Sequence, residues 1–191
     1  MDSRTTDQLL QYPESGDHIV QTWDDESALA DTVSRYLDAG LRSGEAALVV
    51  ARPAHFEMFK RRLPQARIAG RSGQLCYLDA EDTMARFMHK GMPDWKRFHI
   101  AVGGLIAELR LQYPAVRVYG EMVDVLWQRG EREAAIRLEE YWNDLARLQT
   151  FSLFCAYQLD DRDSLTYGGS FECVCRLHTH LIPAGYAGSA A

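Results

Sequence analysis

The chain has 191 residues, 47% of them hydrophobic and 25% charged, with a formal net charge of −6 at pH 7. That is the composition of a single globular domain with a full core. Its acidity speaks against a dedicated nucleic-acid binder, which needs a basic face to neutralise phosphates. No signal peptide opens the sequence and no apolar run reaches about 18 residues, so neither secretion nor a transmembrane helix is expected. Four cysteines without secretory features fit a reducing, cytoplasmic setting.

Residues 1–16 carry little apolar pattern and read as a loose tail. His18 to Trp23 is a short strand, and Asp24 or Asp25 caps a helix through about Leu41 with Leu29, Val33, Tyr36 and Leu37 on one face. Gly40 and Gly44 close it. Ala46 to Ala51 is apolar throughout, as a buried parallel strand would be. Pro53 opens a helix carrying Phe56, Phe59 and Leu63, whose last turn holds Lys60, Arg61 and Arg62. Leu75 to Leu78 is a third strand, and Asp79 caps a helix carrying Met84, Phe87 and Met88.

From Pro93 the stripe Phe98, Val102, Leu105, Ile106 and Leu109 predicts the longest helix. Pro114 precedes a fourth strand, Val116 to Tyr119. Helices follow over about Met122 to Gln128 and Glu131 to Leu148, then a fifth strand, Phe151 to Tyr157. Residues 160–169 read as a loop, Ser170 to Leu177 as a sixth strand near the sheet edge, and residues 186–191 as a disordered tail. Short apolar strands alternating with helices predict one α/β domain over residues 17–185, its mostly parallel sheet covered on both faces.

Several segments together resemble a known family. HIVQTWDDESAL, YLDAGLRSGEAALVVA, LDAEDTMARFMHKGMPD, VYGEMVDVLWQRG, LEEYWNDL, FSLFCAYQL and CRLHTHLIP, in this order over about Asp17 to Pro183, are similar to the MEDS domain, the methanogen/methylotroph sensory domain of the DcmR type. Tyr36 to Ala51 is also similar to the KaiC branch of RecA-like ATPases. The resemblance implies a RecA/KaiC-like fold serving as a ligand-sensing module. MEDS domains occur fused to histidine kinases or DNA-binding segments, or alone, and this chain resembles the stand-alone kind. Expected partners are therefore a small-molecule ligand and a signalling protein such as a histidine kinase or regulator, with no known cofactor.

The turn after the first strand departs from the ATPase pattern. It reads Thr22-Trp23-Asp24-Asp25-Glu26-Ser27, without the glycine-rich nest and lysine of a P-loop. Carboxylates stand where phosphates would lie, so the nucleotide site reads as degenerate and no hydrolysis is expected. There is no nucleophile elbow and no cysteine in an activating setting, so no enzyme is expected.

Ligand sites in open α/β sheets lie at the C-terminal ends of the strands. Those ends carry Trp23, Asp24, Asp25, Arg52 with His55, Asp79, Gly120 with Glu121, and Tyr157. Carboxylates, a histidine and aromatic rings suit a small, partly apolar or cationic ligand. Glu121 is the leading candidate, as ligand contact or as a carboxylate stabilised by its helix dipole. Asp24, Asp25 and Asp79 read first as helix caps. Glu139 and Asn143 belong to the LE–x–x–WN–x–L motif that the resemblance singles out, and they border a stripe of Ala135, Leu138, Trp142 and Leu145. Trp127 reads first as core and is kept as a candidate contact. Cys76 and Cys155 read as inert core thiols.

Near the C-terminus, Cys173, Cys175, His178 and His180 are zinc-type ligands, but in a continuous strand they would face opposite sides, and no metal is expected there. A ligand-free protein–protein interaction domain and, behind it, a zinc-binding regulator are the alternatives. Self-association, through the Phe98 to Leu109 helix or the edge strand near Cys173, is left open.

Overall fold

Ala46–Ala51 is apolar at every position, and in the computed structural model of the chain all six of its residues are buried. A strand of that kind must lie inside a sheet with both faces covered, and it does. The structure describes residues 4–159, 168–184 and 186. Its main sheet has six strands: β1 (His18–Trp23), β2 (Ala46–Ala51), β3 (Leu75–Asp79), β6 (Val116–Gly120), β7 (Ser152–Gln158) and β8 (His180–Ile182). They are ordered β3-β2-β6-β7-β1-β8, and every pairing in that sheet is parallel. β4 (Met88–His89) and β5 (Met92–Pro93) form a small antiparallel ribbon.

Alternate strand residues feed two cores, as the period of two requires. On one face α1 (Thr6–Gln11), α2 (Glu26–Arg42), α3 (Pro53–Arg62) and α4 (Ala66–Ser72) cover Ile19, Val49, Tyr119 and Phe154. On the other, α5 (Ala80–Phe87), α6 (Trp95–Phe98), α7 (Gly104–Gln112), α8 (Met122–Gln128) and α9 (Arg132–Leu148) cover Val20, Leu48, Val118 and Cys155. The helices after β1 and β2 therefore pack on one face, and those after β6 and β7 on the other. Between β2 and β6, and again between β1 and β7, neighbouring strand ends send their chains in opposite directions. Such a switch point opens a crevice at the C-terminal ends.

The tail expected over residues 1–16 is partly wrong. Thr6–Gln11 is a helix, closed by a capping box between Thr5 and Gln8, with Leu9 and Leu10 buried. The T-x-x-Q signal was present in the sequence. Ser170 to Leu177 is not a strand: it lies in helix α10 (Gly168–Leu177). The alternation of Phe171, Cys173 and Cys175 misleads, because Phe171 and Val174 also stand at helical spacing and pack on the core. The sixth strand is instead His180–Ile182, beside β1. Of the expected loop, residues 160–167 lie outside the described residues, as do 187–191 of the expected C-terminal tail. Tyr186 donates to Asp7 Oδ1 at 2.6 Å.

The predicted long helix is interrupted. His99–Gly103 is a π-helical turn between α6 and α7. Here Gly103 lets α9 approach, since a Cβ would stand 2.9 Å from Leu145 Cδ1, and the Gly103 carbonyl accepts from Gln149 Nε2 at 3.0 Å. Among the described residues, no helix is long and apolar enough to cross a membrane.

Candidate functional site

The β2/β6 switch point holds a charged network. β6 ends at Gly120, and the next residue, Glu121, is 1% exposed. Its side chain does not cap α8. Instead Oε2 accepts the backbone N–H of Arg52, the residue that opens α3, at 2.9 Å. Oε1 accepts the Tyr119 hydroxyl at 3.0 Å and makes a short hydrogen bond with His55 Nδ1. Neither reading of Glu121 from sequence foresaw this: the carboxylate fastens the end of β6 to the start of α3.

Asp124 extends the network. Its carboxylate pairs with the Arg52 guanidinium and accepts the backbone N–H of Gln158, the last residue of β7, at 2.9 Å. Gln128 Nε2 reaches the same oxygen at 3.2 Å. Three strand ends thus meet on Arg52, Glu121, Asp124 and His55. Outside them, the Trp23 ring meets His55 edge-on at 5.5 Å, and the exposed Glu26 stands 3.7 Å from His55 Nε2.

Burial sets the electrostatics. It opposes a charged imidazole, but the hydrogen bond and charge of Glu121 outweigh it, so His55 titrates above its ordinary value. Burial likewise outweighs Arg52 at Asp124, whose carboxyl titrates above its usual range. Burial and the Glu121 charge push the Tyr119 phenol well up. Arg52 is raised: against burial, it is held charged by Asp124 and Glu121.

Residues 17–179 match the family described as MEDS, the MEthanogen/methylotroph, DcmR Sensory domain. The chain belongs to the MEDS family. MEDS is a family of sensory domains by that description. No curated protein matches the chain. Among solved structures, the MEDS domain is similar to the flagellar accessory protein FlaH from Methanocaldococcus jannaschii, with 12% identity, a TM-score of 0.56, and 96% of this chain and 78% of that one covered. At that identity the likeness concerns the fold, which is RecA-like.

The remaining sequence candidates of this MEDS domain do not all join the strand-end network. Asp25 caps α2 through Ala28 N–H, Asp79 caps α5 through Asp82 N–H, and Asp24 is exposed. Trp127 is core, packed edge-on against Tyr157 at 5.4 Å and near Phe171. Glu139, Asn143 and Tyr157 gather on the α9 face of the sheet. There Tyr157 donates to Glu139 Oε1 at 2.7 Å and Asn143 meets His18 Nδ1 at 3.0 Å, so the pair does not reach the turn of Glu121.

Cys173, Cys175, His178 and His180 do not converge. The two cysteines are half-buried on α10, and His180 turns to Asp17 at 3.2 Å. His178 turns inward alone, and burial holds it down to about 4. Sequence reasoning missed Asp124 and His18. The signal for Asp124 was a lone carboxylate inside the apolar run MVDVLW; for His18, a histidine opening an apolar strand.

Proposed function

We propose that this MEDS domain senses a small, partly apolar or cationic molecule at the C-terminal ends of β1, β2 and β6, and passes the signal to a partner protein such as a histidine kinase or transcriptional regulator. One observation carries the reading: chain segments leaving opposite faces of the sheet are locked together by Arg52, His55, Glu121 and Asp124 at a switch point. A ligand that takes over one of these contacts, for instance a cation replacing Arg52 at Asp124, alters the segments after β2 and β6 together. Binding shifts the domain only to the extent that one loop arrangement holds the ligand better than the other. Trp23 is buried edge-on against His55, so its ring would meet an apolar or cationic group that displaces that histidine.

Nucleotide hydrolysis is not part of this reading. The N-terminus of α2, where a phosphate would sit, carries Asp25 as its cap with Asp24 and Glu26 beside it. The four cysteines are free thiols, which supports a cytoplasmic setting.

The test is a thermal-shift screen with small amines, alcohols and methylated cations, followed by native mass spectrometry of the hits. A ligand at about 100 times its Kd adds roughly 2.7 kcal/mol of stability. Asp124→Asn and Glu121→Gln are expected to keep the circular-dichroism spectrum and lose the shift. A ligand whose shift survives both substitutions binds elsewhere and removes the reading.

A further inference from the structure

We propose that His18, Glu139, Cys155 and His178 form a buried site for a divalent transition-metal ion of the zinc type. The site is distinct from the strand-end network and does not rest on the sensory reading. Its residues come from four segments: the start of β1, the middle of β7, α9, and the turn after α10. Each offers one ligand atom, and the four atoms lie within 4.8 Å of one another.

The closest approaches among these atoms are near those of a coordination shell, and the widest, at no more than 4.8 Å, needs a small inward shift to reach it. His18 Nε2 is 3.2 Å from Glu139 Oε2 and 3.4 Å from Cys155 Sγ. Cys155 Sγ is 3.7 Å from Glu139 Oε2, and His178 Nε2 is 3.5 Å from Glu139 Oε1. Zinc bonds of about 2.0–2.1 Å to nitrogen or oxygen and about 2.3 Å to sulfur set tetrahedral neighbours roughly 3.3–3.6 Å apart.

The outer hydrogen bonds fix which ring nitrogens face inward. Asn143 Nδ2 donates to the Leu177 carbonyl at 2.9 Å, which turns its oxygen to His18 Nδ1. His18 Nδ1 therefore carries the hydrogen, and Nε2 is left to face the cluster. His178 Nδ1 faces the Val174 carbonyl at 2.7 Å and carries a hydrogen for the same reason. Its Nε2 is buried with no hydrogen-bond partner, on a side chain 1% exposed. Glu139, wholly buried, aims its carboxylate at the same point while Tyr157 holds Oε1. Two imidazole nitrogens, a carboxylate and a thiol thus converge where water does not reach. A proton on His18 would serve Glu139 but leave His178 Nε2 unmet; a metal ion meets all four.

Ligand chemistry narrows the ion. Two imidazoles and a sulfur exclude magnesium and calcium, which take oxygen. On binding, the Cys155 thiol releases its proton to solvent, and the thiolate and carboxylate neutralise the ion's two charges. Four protein ligands with no open position are the pattern of a structural metal, here tying α10 and the approach to β8 onto α9 and the sheet. Asn143, Val174 and Tyr157 then orient the ligands from behind.

The test uses the full chain loaded with zinc or cobalt(II), dialysed, and assayed for bound metal. About one equivalent is expected, with cobalt giving intense tetrahedral bands and a near-ultraviolet thiolate charge-transfer band. Cys155→Ser should abolish the charge-transfer band, while Cys173→Ser combined with Cys175→Ser keeps it. Because Cys155→Ser could disturb folding, Asn143→Ala is measured too; it should weaken zinc binding about 10–100-fold against a competing chelator with an unchanged circular-dichroism spectrum. Folded wild-type protein that retains under a tenth of an equivalent, a band that survives Cys155→Ser, or unaltered affinity in Asn143→Ala overturns the proposal.

Discussion

Replacing Glu121 by Gln removes a charge while keeping the shape. The single amide oxygen can keep the Arg52 N–H, which sits on Oε2. The amide nitrogen then stands where Oε1 accepted the Tyr119 hydroxyl and met His55, so the loss falls on those two bonds and on the 3.9 Å approach of Arg52 Nε. Both His55 and Glu121 are buried, at 4% and 1% exposure, so solvent screens the pair little. A hydrogen bond to a charged group contributes about 1.5–3 kcal/mol. We therefore expect Glu121→Gln to cost about 2–3 kcal/mol near neutral or lower pH. In a domain of this size that lowers Tm by roughly 4–12 °C.

The pH dependence separates this mechanism from simple loosening. His55 titrates above its ordinary 6.5 in the folded protein, so folding binds a proton that the unfolded chain gives up. That stabilisation is complete below about pH 6.5 and fades as the pH rises through the raised value. The gap between wild type and variant must then narrow with rising pH. Urea unfolding followed by circular dichroism at about pH 6 and about pH 9 measures both gaps. Equal gaps at the two values, or a gap under about 0.5 kcal/mol at the lower one, would refute the reasoning.

Arg117, 1% exposed, donates to the carbonyls of Leu10, Tyr36 and Gln11 and pairs with Glu45. Arg117→Met should cost about 3–5 kcal/mol in urea unfolding and speed amide exchange in α1; normal exchange there would show that α1 is held otherwise. Gly40→Ala places a Cβ 2.5 Å from Arg117 Cδ and Nε, which should cost about 1–3 kcal/mol. That cost should shrink in the Arg117→Met background, and strict additivity would contradict the contact. Asp25→Ala removes the cap of α2 and should cost about 1 kcal/mol by the same assay. The purified chain should not turn over ATP; hydrolysis that disappears in Glu121→Gln would show that the acidic turn is no barrier.

Local pattern was enough for most of the fold. Ala46–Ala51 could only be an inner strand, and Asp25 and Asp79 stand where helix caps are needed. Where pattern was ambiguous it failed: Phe171, Cys173 and Cys175 satisfy a strand's period, while Phe171 and Val174 satisfy a helix's, and packing on Trp127 and Tyr157 decided for the helix. The capping box at Thr5 was legible but short, and a six-residue helix depends on the core it covers.

The sites divide along the same line. That Glu121 stands at a strand end followed from the sequence by itself, because strand and helix periods are local properties of the chain. That it meets Arg52 N–H, 69 positions away, follows from β6 lying beside β2. That His18 meets Cys155, 137 positions away, follows from β1 lying beside β7. Strand order is decided by how whole βα units pack, and no local period encodes it. The sequence alone therefore determined which residues turn inward and which strands end in charge. Only the tertiary structure decided which charges meet, and so divided one expected cluster into a strand-end network and a second cluster inside the core.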